Sequence, residues 1–227
     1  MNDSAPRPSR WRVHARRHPS AFLLAAQLLS LLLYPLLDGT GGRVVFAGFS
    51  ALVVVLAVWV VNRSPAIGWI AWAMAVPAFV LSLLSVATGI NGLLVWSSLL
   101  EALLYFYAAG SLIAYMLSDH RVTSDELFAA GATFTLLAWG FAYLYLVCQF
   151  WYPGSFTGAV EPGRPRSWLE LLFFSVTNLS AAGLGDILPL GAPARVLTIL
   201  EQFCGVGYVA VVVSRLIGLW LLRAGRH

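Results

Sequence analysis

The sequence predicts an all-α integral membrane protein with six transmembrane helices, and a short re-entrant helix and loop between the fifth and sixth. Three observations predict it. The 227 residues are 59% hydrophobic and only 11% charged, where a soluble domain carries about 25% charge. Apolar runs long enough to cross a bilayer, about 20 residues each, recur at 20–37, 43–61, 67–88, 93–117, 127–151 and 192–222. Four connections are short (Asp38 to Gly42, Asn62 to Ala66, Thr88 to Gly92, Ser118 to Glu126), whereas the fifth runs from Tyr152 to Gly191.

Residues 1–19 form a basic tail with Arg7, Arg10, Arg12, Arg16 and Arg17. Its Pro- and Arg-rich composition predicts flexibility. Two readings stand for it: a topogenic signal, or contact with anionic lipid headgroups at about 1 kcal/mol per Arg. The first apolar run imitates a signal peptide, but Asp38-Gly39-Thr40-Gly41-Gly42 reads as a tight turn rather than a cleavage site, so the span is retained. Residues 20–126 then hold four spans. The fourth carries no Arg and one charge, Glu101. A voltage sensor needs several Arg residues there, so none is expected. Glu101 is costly in a bilayer and reads either as a functional group or as a protonated acid bonded to a neighbouring helix.

Residues 127–227 hold the fifth span, the long connection and the sixth span. The connection reads as a polar turn (Pro153 to Pro165), an amphipathic helix (Trp168 to Val176) ending near Thr177–Asn178, and a Gly-rich segment. Glu170 in the first turn of that helix complements its positive dipole end. On span six, Glu201 either pairs with a group on the short helix or faces the protein's interior space. Arg215 snorkels towards the interface. Gly205 and Gly207 allow either bending or close helix packing.

Charge placement sets the orientation. Nine Arg residues lie in the tail, the even-numbered loops and the C-terminus, against four (Arg43, Arg164, Arg166, Arg195) on the other side. This bias puts both termini in the cytoplasm of a multi-pass cell-membrane protein and the long connection outside. The net charge of +4 reflects that orientation, not nucleic-acid binding, because no polar face exists to carry it. Cys148 and Cys204 sit inside apolar runs and read as core residues, with neither a disulfide framework nor a metal site in their spacing.

The chemistry concentrates in Thr177-Asn178-Leu179-Ser180-Ala181-Ala182-Gly183-Leu184-Gly185-Asp186. Rings of backbone carbonyls can replace an ion's hydration shell. Turning successive carbonyls to one side needs backbone angles that Gly adopts cheaply, as Gly183 and Gly185 would. The negative end of the preceding helix favours a cation, and Asp186 would concentrate cations at the outer mouth.

Residues 127–222 resemble the pore domain of the potassium-channel-like pore-loop family. The family's Thr-Val-Gly-Tyr-Gly-Asp is matched by Ala181-Ala182-Gly183-Leu184-Gly185-Asp186, followed by Ile187, Pro189 and Arg195. The resemblance implies a homo-oligomer, a tetramer in lipid, conducting K⁺ as permeant ion without a cofactor. It implies filter carbonyls from Ala181, Ala182, Gly183 and Leu184 holding a monovalent cation, with Gly185 completing the filter. Thr177, Ser180 and Asp186 would form its support and outer mouth, and Gly205 the inner-helix hinge. Two positions depart from the family. Ala181 lacks the Thr hydroxyl that contributes to the innermost ion site, and Leu184 lacks the Tyr hydroxyl that braces the filter.

Two other functions compete. A non-conducting or modulatory subunit with a degenerate pore is one. The other is an intramembrane aspartyl protease, whose Gly-x-Gly-Asp signature Gly183–Asp186 also matches. That chemistry needs a second carboxylate sharing a proton, and Asp3, Asp38, Asp119 and Asp125 all lie in the tail or loops. The expectation is therefore a channel and not an enzyme.

Overall fold

The computed structural model describes residues 19–34, 52–62, 66–118 and 124–224. The basic tail before Pro19, the turn Asp38 to Gly42 and the first half of the predicted second span lie outside the described residues. So do the Arg63 and Arg121 loop positions and the last three residues.

The described chain is mostly helical. Its elements are α1 (Pro19–Leu33), α2 (Leu52–Val61), α3 (Gly68–Thr88), α4 (Asn91–Ser118), α5 (Ser124–Trp151), β1 (Phe156–Gly158), α6 (Trp168–Leu179), β2 (Ile187–Pro189) and α7 (Ala192–Ala224). Four of these, α3, α4, α5 and α7, are long and apolar enough to cross a membrane. The 28 residues of α5 extend about 42 Å at 1.5 Å per residue, more than the hydrocarbon core requires. α1 and α2 are apolar but shorter in their described extents. α6, with 12 residues, reaches only about 18 Å and cannot cross.

Local sequence sets the ends. α3 stops at Gly89, whose φ of 70° lets its N–H return to the Ser85 carbonyl at 2.9 Å. That left-handed cap is what Gly supplies without a Cβ penalty. α7 opens with Pro193 in its first turn, where a missing N–H costs no helical bond.

α5 is the most enclosed of the long helices, packed by α4, α1, α6 and α7. The α4–α5 seam is aromatic. Phe106 lies 5.0 Å edge-on to Phe141 and fills the space left by Gly140. Tyr105 meets Trp139 at 5.8 Å. Glu101 lies on α4, with the Ser97 hydroxyl of its own helix 3.4 Å from its carboxyl.

Two acids in the first turn of α5 gather the helix ends. Asp125 accepts from the Ser20 N–H at 3.2 Å, from the Ser20 hydroxyl at 3.1 Å and from the Tyr115 hydroxyl at 3.4 Å. Glu126 pairs with Arg215 of α7 at 3.3 Å. Both carboxylates also face the positive end of the α5 dipole. Arg215 thus has a defined partner on α5.

One expectation is corrected. The fold is not purely α: β1 and β2 form an antiparallel pair, with Phe156 opposite Pro189, Thr157 opposite Leu188 and Gly158 opposite Ile187. Strands of three residues are too short to leave a period-two signal, so Pro153 to Pro165 reads as a turn. The short helix also runs one turn-fraction further than expected, to Leu179.

The Glu126–Arg215 pair yields a stability test. Removing one partner of a largely buried pair costs more than removing both. Glu126→Gln is expected to lower the melting temperature in detergent, and Glu126→Gln/Arg215→Gln to recover part of that loss. Additive losses in the double variant would contradict the pairing.

Candidate functional site

The start of α6 is fixed by a capping box. The Ser167 side chain accepts from the Glu170 N–H at 3.3 Å, and the Glu170 carboxylate accepts from the Ser167 N–H at 2.6 Å. This arrangement satisfies two donors that a helix N-terminus otherwise leaves open. Glu170 also pairs with Arg164 at 2.9 Å and Arg166 at 3.4 Å. Partial burial pushes the Glu170 carboxyl up, but the Ser167 bonds and the two guanidinium groups outweigh it and hold the group below its ordinary value.

Arg166 organises the loop before α6. It is buried, and its guanidinium donates to the carbonyls of Val160 at 3.1 Å, Glu161 at 2.5 Å and Arg164 at 2.9 Å. Its backbone exchanges two bonds with the Gln149 side chain at the end of α5, at 2.7 and 3.0 Å. Gly158 leaves room for this guanidinium, which a Cβ there would displace.

The other end of α6 leads directly into the Gly-rich segment. The Ser180 N–H reaches Val176 O, and the Ala181 N–H reaches Asn178 O, both at 3.0 Å. The Ala182 and Gly183 N–H groups both return to Thr177 O, at 3.0 and 3.1 Å. In a trans peptide the carbonyl points opposite to the N–H of the next residue, and no peptide in the described chain is cis. The carbonyls of Ser180, Ala181 and Ala182 are therefore turned away from the helix end, three in succession. Ala181 and Gly183 take φ values of 56° and 65°. Residues 180–186 are all exposed on the single chain, Leu184 at 63%.

The far side of the segment is held by the small sheet. Asp186 O accepts from the Ala159 N–H at 2.8 Å, and Ser155 O accepts from the Leu190 N–H at 2.8 Å. Asp186 itself is exposed at the end of this brace. Arg195 donates to Pro189 O at 3.2 Å.

α7 closes the inner side. Gly205 abuts the Leu179 carbonyl so closely that a Cβ would overlap it. Gln202 donates to the Asn178 side chain at 3.0 Å. Glu201, fully buried, contacts the Ser175 hydroxyl and accepts from the Tyr145 hydroxyl at 2.5 Å. Of the two readings of Glu201, the structure has it on the short helix rather than facing open space. Thr177 is buried, its hydroxyl bonded to Phe174 O at 2.9 Å, and the Ser180 hydroxyl reaches Thr177 O at 3.3 Å.

Ala181 to Asp186, Thr177 and Ser180 thus fall in one continuous stretch at the end of α6, and Gly205 touches its start. The sequence reading missed Gln149, Ser175 and Tyr145, and counted Arg166 only as a topogenic charge. A lone Ser or Tyr in an apolar run carries no spacing signal. A Gln and an Arg flanking a Pro- and Gly-rich loop were the one visible hint.

The profile of the family described as "Ion channel" matches residues 131–220. The chain is 32% identical over 65 residues to the potassium channel protein kcv of Paramecium bursaria Chlorella virus 1, covering 25% of this chain and 69% of that protein. The chain belongs to the potassium-channel-like pore-loop family. It is also 35% identical over 74 residues to the inward rectifier potassium channel Kirbac3.1 of Paramagnetospirillum magnetotacticum, covering 33% of this chain but 22% of that protein. Protein LctB of Bacillus caldotenax is 27% identical over 106 residues, covering 45% of this chain and 78% of its own length. The chain therefore spans about a fifth of the length of the inward rectifier. No solved structure matches it. As a member of the pore-loop family, with relatives that are potassium channels and not enzymes, the chain carries its Gly183–Asp186 signature in a channel setting rather than a protease one.

Two tests follow from this geometry. Because the folded Glu170 value is depressed, its stabilisation is complete above the unfolded value of about 4.3 and is lost as pH falls through the folded value. The stability difference between wild type and Glu170→Gln, read by thermal melting, is expected to be present at neutral pH and to vanish in acid. A difference independent of pH would contradict it. Gly205→Ala is expected to destabilise or prevent assembly, because its methyl group meets backbone and not a movable side chain. Gly207→Ala, with nothing near its added carbon on the single chain, serves as the control in native electrophoresis.

Proposed function

We propose that this chain forms a potassium-conducting channel of four copies in the cell membrane. Six spans cross the bilayer, both termini are cytoplasmic, and the long connection dips into the membrane from outside. Residues 127–227 form the pore domain, with α5 as outer helix, α6 as re-entrant pore helix and α7 as inner helix. The carbonyls of Ala181, Ala182, Gly183 and Leu184 coordinate the ion around a shared axis, Gly185 completes the filter, and Asp186 draws cations to the mouth. Thr177 and Ser180 support the filter, and Gly205 is the hinge at which α7 pivots against α6.

The observation that carries this reading is that the Ser180, Ala181 and Ala182 carbonyls, the last two of them among the four proposed to hold the ion, face away from the helix end at an exposed loop, directly after a helix too short to cross. Such backbone is tolerated at membrane depth only where protein or water surrounds it. The exposed apolar face of α7, where Phe203 and Val206 are 75% and 60% exposed, agrees with burial against lipid or neighbouring copies. The lack of a hydroxyl at Ala181 favours a second reading, a non-conducting partner subunit.

Reversal potential in planar bilayers, with potassium on one side and sodium on the other, separates these. The expected value lies near the potassium equilibrium potential. A value near zero with current flowing would mean a non-selective cation pore. A pure homotetramer without current would favour the partner-subunit reading.

A further inference from the structure

Ser175 has one hydroxyl hydrogen, yet its oxygen lies within bonding reach of two oxygens: the Ala138 carbonyl of α5 at 2.8 Å and the Glu201 carboxyl of α7. A carbonyl only accepts, so the bond to Ala138 uses that hydrogen. The contact with Glu201 is then satisfied only when the carboxyl carries a proton and donates it to Ser175. The second carboxyl oxygen accepts from Tyr145 at 2.5 Å. The Thr198 hydroxyl, on the same turn of α7, is committed to Ala194 O at 2.9 Å. With the proton on Glu201, each hydroxyl hydrogen in the cluster has an acceptor. Without it, one contact sets two acceptors against each other in a buried site, at a high cost. The rings of Phe156 and Phe174, 5.3 and 5.1 Å from Tyr145, pack beside the cluster.

This cluster joins three helices at one point. Tyr145 and Ala138 belong to α5, Ser175 to α6, Glu201 and Thr198 to α7. One residue further along α7, Gln202 bonds Asn178, and Asn178 in turn donates to Phe174 O at 2.7 Å. Both attachments fall on the last two turns of α6, next to Thr177, whose carbonyl receives the Ala182 and Gly183 N–H groups. The Leu184 side chain cannot hydrogen-bond to the helix behind it, so the start of the loop is held through α6, while the small sheet holds its far end.

We infer that Glu201 acts as a neutral, proton-donating positioning residue that fixes α6 and thereby sets the ion selectivity of residues 181–185. This rests on the channel reading above. Its role is that of a hydrogen-bonding acid and not of a charge. Glutamine, which presents a donor and an acceptor in the same place, should therefore replace it.

The test is the potassium-to-sodium permeability ratio from reversal potentials, with thermal melting measured in parallel on each purified protein. Glu201→Gln is expected to stay within about twofold of wild type. Glu201→Ala is expected to lower the ratio by about tenfold, as loss of buried hydrogen bonds to one group would. Should Glu201→Ala fail to assemble, Ser175→Ala and Tyr145→Phe each remove one bond, and each is expected to lower the ratio about threefold. A ratio lost equally in Glu201→Gln and Glu201→Ala would mean that charge matters, and overturns the inference. So would a lowered melting temperature with an unchanged ratio, or a wild-type ratio already near one. Absence of any wild-type current would overturn the channel reading itself, and a wild-type ratio near one its potassium selectivity, whereas the outcomes read on the variants leave that reading standing.

Discussion

A helix that ends within a membrane protein, followed by backbone without regular structure, must find partners for every N–H and C=O inside the protein. Lipid offers none. The Thr177 carbonyl meets that constraint by accepting from both Ala182 and Gly183. The first donors of the loop, Ala181 to Gly183, are turned towards α6, and the carbonyls of Ser180, Ala181 and Ala182 away from it. The direction of the loop carbonyls is a consequence of where the amide hydrogens go, and much of the surrounding structure serves to keep Thr177 in place.

That support comes from three sides. Arg166, Gln149 and the Ser167–Glu170 box anchor the start of α6 to the end of α5 and to the preceding loop. The β1–β2 pair takes up the chain after the loop. α7 presses on the last turns through Glu201, Gln202 and Gly205. The first two supports use polar groups near the ends of the long helices. The third lies deep among apolar residues, where an unsatisfied hydrogen bond is most costly. At the opposite end of α5, Asp125 and Glu126 join α1, α4 and α7, so the N-terminal helices meet the last helix through neighbouring side chains.

The long apolar runs made α3, α4, α5 and α7 legible, because length and hydropathy are one-dimensional signals. Of the two glycines expected to take special backbone angles, Gly183 does so, but Gly185 is not among the positive-φ residues and Ala181 takes such an angle instead, which no residue type announced. The small sheet was not legible, since Phe156-Thr157-Gly158 and Ile187-Leu188-Pro189 are too short and too far apart to announce their pairing. The Ser175–Glu201–Tyr145 cluster was hidden for a different reason. Each member is a single polar residue in its own apolar helix, and only packing brings them together. Gly205 was visible as a residue type, while its contact with the Leu179 carbonyl required the helices to be docked.

The conformation of Ala181 limits which residues this loop can accept. With φ at 56°, it occupies a region where a β-branched residue is a strong outlier and even alanine pays a penalty of about 1–2 kcal/mol. Threonine, being β-branched, is strongly disfavoured on that backbone. A threonine placed at 181 would have to turn the peptide planes on either side before its hydroxyl could reach any ion held by the loop, so backbone and side chain at this position can only change together.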